Sequence, residues 1–234
     1  MKKIILGLIV LIGGVTLLPI GLLLFILTRP FDSKSYVINF MSKMWSGWLI
    51  YGNVGCYMKI EGQENIEKGK TYVIIANHNT LYDIPMMHFL KINFRWVSKR
   101  EVLKIPIIGL VLLMQRSITI RRGDAASARQ MLVKGEKLLR SGVSVTLFPE
   151  GTRSKTGELG SFKGGAFIMA KSAEVEVLPV VIFGSREALK GWPRPLPLKL
   201  KILPPVSIQG RRIGEFTKEM NDKFREELNA RDYK

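Results

Sequence analysis

Residues 4–27 form an uncharged run, mostly Ile, Leu, Val and Gly, flanked by Lys2, Lys3 and Arg29. A helix rises about 1.5 Å per residue, so this run is long enough to cross a hydrocarbon core of about 30 Å. A cleaved signal peptide fits less well. The run is longer than the usual apolar core of such a peptide. It ends in Phe25-Ile26-Leu27-Thr28-Arg29-Pro30, without a small-x-small cleavage site. Pro19 and the glycines at 7, 13, 14 and 21 leave a bent, re-entrant path open.

A second apolar stretch covers residues 36–51 and holds Trp45, Trp48 and Tyr51, with Lys43 inside it. Tryptophan and tyrosine favour the membrane–water interface, so this stretch reads as a second helix in or beside the bilayer. Spanning the bilayer and entering one leaflet both remain open. The flanking charges orient the pair weakly, because Lys2 and Lys3 are answered by Arg29, Lys34 and Lys43. The expectation is a two-helix membrane-anchoring segment over residues 1–55, followed by a domain over residues 56–234.

Beyond residue 56, strand and helix patterns alternate. Residues 71–76, 94–98, 117–120, 143–148, 175–183 and 198–203 read as strands. Residues 81–90, 124–140 and 214–229 read as helices, with Asp124 as an N-cap and Gly142 after the second helix ends. Alternation of this kind predicts an α/β domain: a largely parallel central sheet flanked by helices. The single cysteine, Cys56, excludes an internal disulfide.

Charge narrows the partners. The chain has 36 Lys and Arg against 19 Asp and Glu, a net +17. Such an excess implies anionic partners: nucleic acid, anionic headgroups or phosphorylated substrates. No nucleic-acid module is recognisable, and the aromatics concentrate near the apolar N-terminus instead of interleaving with a basic face. No nucleic-acid partner is expected. A basic stretch covers residues 91–122, with Glu101 its only acid. Its plainest reading is a membrane-facing surface, with one or two side chains turned into a site.

There are two histidines. His78 follows the strand at 71–76, and the end of a parallel strand is where α/β folds place their sites. Asp83 lies five residues on. Within one helix that spacing puts the side chains about 140° apart. They meet only if His78 precedes the helix and Asp83 lies in its first turn. A carboxylate there fixes the ring tautomer and leaves the other nitrogen as a base. The alternative is a helix-capping histidine with no chemistry. His88 lies inside the helix without a nearby acid and reads as structural.

A second cluster, Phe148-Pro149-Glu150-Gly151-Thr152-Arg153-Ser154, also stands at a strand end. Glycines at 157, 160, 164 and 165 follow it, with Lys163 among them. Glycine lets backbone N–H groups turn toward an anion, and an arginine fork grips phosphate. The segment lacks the terminal Gly-Lys-Ser/Thr of a P-loop. Taken alone it is also compatible with a tight turn carrying surface charges.

Together, Asn77-His78-x4-Asp83 and the segment at 148–154 resemble the glycerolipid acyltransferase family, most closely its bacterial 1-acyl-glycerol-3-phosphate branch. Two further motifs of that family are similar to residues 117–122, ending in Arg122 with Arg121 as neighbour, and to Val177-Leu178-Pro179-Val180. The stretch at 97–103 resembles the family segment that supplies Lys99. Arg121 stands where the family often has an acidic residue, a departure in the second motif. The resemblance covers roughly residues 56–210. It implies acyl transfer from a thioester, either acyl-CoA or acyl carrier protein, to the 2-hydroxyl of lysophosphatidic acid, giving phosphatidic acid. It implies His78 as general base and Asp83 as its orienter. It also implies an acceptor-phosphate site at Lys99, Arg122, Glu150, Gly151, Thr152 and Arg153. Glycerol 3-phosphate or another lysophospholipid is an alternative acceptor. No metal or tightly bound cofactor is implied. The expected location is the cell membrane, among membrane lipids, with the site on the cytoplasmic side.

Overall fold

The computed structural model describes residues 2–52, 56–190 and 196–230, with the side chains of residues 2–7, 9–11, 14, 189, 190 and 196 outside that description. Two helices come first, α1 (Lys2–Thr28) and α2 (Tyr36–Gly52). A Cβ on Gly13 would lie 2.8 Å from the Trp48 ring, and one on Gly21 would lie 3.8 Å from Met41. Position 13 thus faces 48 and 21 faces 41, so the helices run antiparallel as a hairpin. Asp32 caps α2: its two carboxylate oxygens accept from Tyr36 N at 2.8 Å and Val37 N at 2.9 Å. Among the described residues no helix is long and apolar enough to cross a membrane. Residues 4–7, 9–11 and 14 of the run expected to anchor the chain have side chains outside the described set.

The strands are β1 (Cys56–Glu61), β2 (Tyr72–Ala76), β3 (Phe94–Lys99), β4 (Ile118–Ile120), β5 (Ser144–Leu147), β6 (Glu176–Phe183) and β7 (Leu196–Ile202). They form one sheet in the order β1-β7-β6-β2-β5-β3-β4. The five strands from β6 to β4 are mutually parallel. β7 runs antiparallel to β6, and β1 runs parallel to β7. This is the largely parallel α/β sheet that the alternating pattern predicts. Every residue of β2 is buried, which explains its unbroken apolar run: a strand covered on both faces has no polar side to show.

The covering helices are α3 (Asp83–Met87), α4 (Pro106–Met114), α5 (Ala125–Arg140), α6 (Gly165–Ala173), α7 (Ser185–Lys190) and α8 (Ile213–Asn229). Val73 and Ile75 of β2 face a core that includes Met131 of α5, Phe167 of α6 and Phe216 of α8. Tyr72 and Ile74 face the opposite core, with Ile50 of α2, Met86 of α3 and Leu112 of α4. The hairpin is therefore packed onto the sheet through α2. A polar seam fastens it further. Gln115 Nε2 donates to Asn39 Oδ1 at 3.0 Å and to Ser42 Oγ at 2.9 Å, and Asn93 Nδ2 donates to Lys34 O at 2.8 Å.

Helix α5 begins as its sequence predicts, with Asp124 Oδ1 accepting from Ser127 N at 3.0 Å. Helix α3 is shorter than the expected span of residues 81–90. The turn before it is held by side chains, and the chain after it tightens into bonds from Phe89 N to Met86 O and Leu90 N to Met87 O. Helix α4 carries no polar residue, so it offers no periodic contrast to read from sequence.

Candidate active site

Strand β2 ends where Asn77 clamps the neighbouring strand. Its Nδ2 donates to Ile182 O at 2.9 Å, and its Oδ1 accepts from Ile182 N at 2.7 Å. The chain then turns away from the sheet at His78, and α3 starts at Asp83. His78 Nδ1 lies 2.8 Å from Asp83 Oδ2. The same oxygen accepts from Asn79 N at 2.7 Å and Thr80 N at 2.8 Å. Thr80 Oγ1 accepts from Tyr82 N at 3.0 Å and closes the turn. Asp83 is fully buried, and its position as the first residue of the helix is what lets it reach back. An oxygen that accepts from two backbone N–H groups is an acceptor toward the ring as well, so Nδ1 carries the proton. Nε2 is left as the nitrogen that can take one. The ring stacks on Phe148, with centroids 3.9 Å apart and planes 6° off parallel.

Strand β5 delivers the second cluster to the same turn. Ser154 N donates to His78 O at 2.8 Å. Glu150 is buried and both its oxygens are engaged: Oε1 accepts from His78 N at 2.7 Å, and Oε2 accepts from Gly160 N at 2.9 Å. Burial pushes its carboxyl up, and the N–H groups of Gly160 and His78 pull it back in part. A glutamine here has one acceptor where two are used and would turn its NH2 toward a backbone donor. Glu150→Gln should therefore cost about 1–3 kcal/mol of stability, the price of one unpaired buried N–H. Urea unfolding of the two proteins checks this. A variant as stable as the parent would mean that the two bonds contribute nothing.

The other expected phosphate-binding positions lie at the same C-terminal edge of the parallel strands. Lys99 ends β3, with its Nζ 3.3 Å from Glu101 Oε1. Arg122 follows β4 by two residues and is exposed. Thr152 and Arg153 are exposed in the turn after β5. Gly151 has φ +72°, and a Cβ built on it would lie 3.2 Å from Lys163 Nζ. The missing side chain thus makes room for that ammonium. Lys163 stands out from the glycine-rich composition around it, but its fold-back onto Gly151 has no linear signature. His88 lies apart from this edge. Its Nε2 accepts from Trp96 Nε1 at 3.4 Å, and burial lowers its pKa to about 4, so it is a neutral core residue. Among the described residues no group of three or more His, Cys, Asp or Glu is placed to hold a metal ion.

The Acyltransferase family profile matches residues 57–183, more than half of the chain. A chloroplastic 1-acyl-sn-glycerol-3-phosphate acyltransferase of Arabidopsis thaliana is 37% identical over 172 residues, covering 73% of this chain and 47% of the relative. The enzyme of the same name from Pseudomonas aeruginosa is 32% identical over 148 residues, covering 63% of this chain and 56% of the relative. The chain spans about half the length of the curated relatives it matches. Among solved structures, the 1-acyl-sn-glycerophosphate acyltransferase PlsC from Thermotoga maritima superposes with a TM-score of 0.76 at 30% identity, over 100% of both chains. On the profile match and the likeness along its whole length, the chain belongs to the acyltransferase family.

Proposed function

We propose that this chain transfers a fatty acyl group from an acyl thioester to the 2-hydroxyl of 1-acyl-glycerol 3-phosphate, forming phosphatidic acid. The observation that carries the reading is the His78–Asp83 contact at 2.8 Å, held at the end of a central parallel strand. The names of the relatives supply the acceptor. His78 Nε2 takes the hydroxyl proton as the oxygen attacks the thioester carbonyl carbon. The C–S bond then breaks, and the imidazolium returns the proton to the departing thiolate. Asp83 orients the ring and balances its charge while the proton is held. No acyl-enzyme intervenes. Acyl-CoA and acyl carrier protein are the candidate donors.

In this reading Lys99, Arg122, Arg153 and Lys163, with the backbone at Gly151 and Thr152, hold the acceptor phosphate. Glu150 acts as a positioning residue for the His78 turn, because both its oxygens already serve backbone donors. The hairpin of α1 and α2 seats the enzyme in the membrane. Its outward side chains include Ile26, Phe40 and Met44, and the net +17 draws it to anionic lipid. A donor made inside the cell requires the site on the cytoplasmic side.

An acceptor screen tests the assignment. Purified protein in vesicles should acylate 1-acyl-glycerol 3-phosphate in preference to glycerol 3-phosphate and to lysolipids with blocked phosphates. Turnover with another acceptor alone would remove the assignment. Arg153→Ala should raise KM for the phosphorylated acceptor about 10- to 100-fold, the worth of one hydrogen bond to a charged group. An unchanged KM would take Arg153 out of the phosphate site.

A further inference from the structure

Helix α4 is separate in sequence from the N-terminal hairpin. Its nine residues are all apolar or glycine, yet it is only partly covered. Leu112 and Met114 are buried, while Pro106 is exposed and Leu110 half-buried. Leu113 is 60% exposed, and Ile105 just before the helix is 47% exposed. An isolated exposed leucine needs no explanation, but an outward apolar ridge on a wholly apolar helix does.

Its neighbours identify what covers it. Helices α1, α2 and α4 meet around one apolar cleft, lined by Leu17, Gly21, Met41, Trp45, Ile107 and Val111. Helix α4 therefore lies against both helices of the hairpin, with its exposed Leu113 face beside them. Exposed cations bracket the helix, Arg100 and Lys104 before it and Arg116 after it. Apolar side chains bounded by basic ones match an anionic bilayer, with the side chains among acyl chains and the cations at the headgroups. The corner that presents α4 is fixed. A Cβ on Gly109 would lie 2.2 Å from Leu103 O, so the helix packs backbone to backbone on the turn that follows Lys99.

We propose that α4 inserts its Ile105–Leu113 ridge into the lipid beside the hairpin. Two contacts, far apart in sequence and joined by the sheet, set how the catalytic edge meets the membrane. The chain attaches through the hairpin alone if α4 stays dry. The proposal rests on the membrane reading given above.

The test uses the full chain with Cys56→Ala and one added cysteine at a time: Leu113→Cys, Phe40→Cys on the hairpin, or Val133→Cys on α5, where Val133 is 63% exposed. Each carries an environment-sensitive fluorophore and is added to phosphatidylcholine–phosphatidylglycerol vesicles containing quencher lipid. Labels at 113 and 40 should be quenched, with the label at 133 unaffected. Quenching at 40 with none at 113 overturns the role of α4 and leaves the hairpin as anchor. No quenching at either overturns both readings. A label at 113 that shifts with protein concentration before any vesicle is added points to self-association and overturns the proposal. Leu113→Asp should lower vesicle partitioning about tenfold or more, as expected for losing one buried leucine. Unchanged partitioning would also overturn it.

Discussion

Replacing His78 with alanine is expected to lower kcat for acyl transfer by about 10² to 10⁴-fold, the range spanned by general-base assistance. The loss should appear in kcat with KM for both substrates little changed, because the ring accepts a proton only as the bond forms. The fold should persist. The turn is held by Asn77 on β6, by Ser154 N on His78 O and by Glu150 on the His78 backbone N–H, and none of these uses the imidazole. Thermal unfolding and vesicle binding of the variant check that part. An active variant would mean that the hydroxyl proton does not need His78 and would overturn the general-base assignment.

Asp83→Asn should be damaging in a different way. Asp83 Oδ2 accepts from two backbone N–H groups and faces the ring, while the buried Oδ1 has no hydrogen-bond partner among the described residues. An asparagine keeps the turn by placing its carbonyl oxygen at Oδ2 and its NH2 at the unpartnered position. Orientation is then preserved and the negative charge is lost. The rate should fall, by no more than the about 10² to 10⁴-fold that general-base assistance is worth, with the unfolding temperature nearly unchanged. A variant with full rate would reduce Asp83 to a capping residue.

Sequence and structure agree most closely where a pattern is local. The continuous apolar runs of β2 and β6 mark central strands because only a strand covered on both faces is apolar throughout. Asp124 reads as a cap because its partner is three residues away. The spacing of His78 and Asp83 restricts them to a turn and the start of a helix, which is where they lie. Glu150 is legible as a site residue from its motif, but its bonding is not. Its chemical type suits a charged site, but its bonds run to His78 and Gly160, and the first of these crosses 72 residues. Helix α4 is not legible, because an all-apolar segment has no period to detect. The fold-back of Lys163 over Gly151 depends on a left-handed glycine inside a loop whose path the whole sheet sets.

The central claim is that Asp83 acts on the reaction only through His78. The most direct measurement is a double-mutant cycle on kcat, with His78→Ala, Asp83→Asn and the two combined, using an acyl thioester and 1-acyl-glycerol 3-phosphate. With no ring to orient or balance, the aspartate has nothing left to do, so the double variant should be no slower than His78→Ala alone. Rate losses that multiply would show two independent contributions and contradict the base-and-orienter assignment.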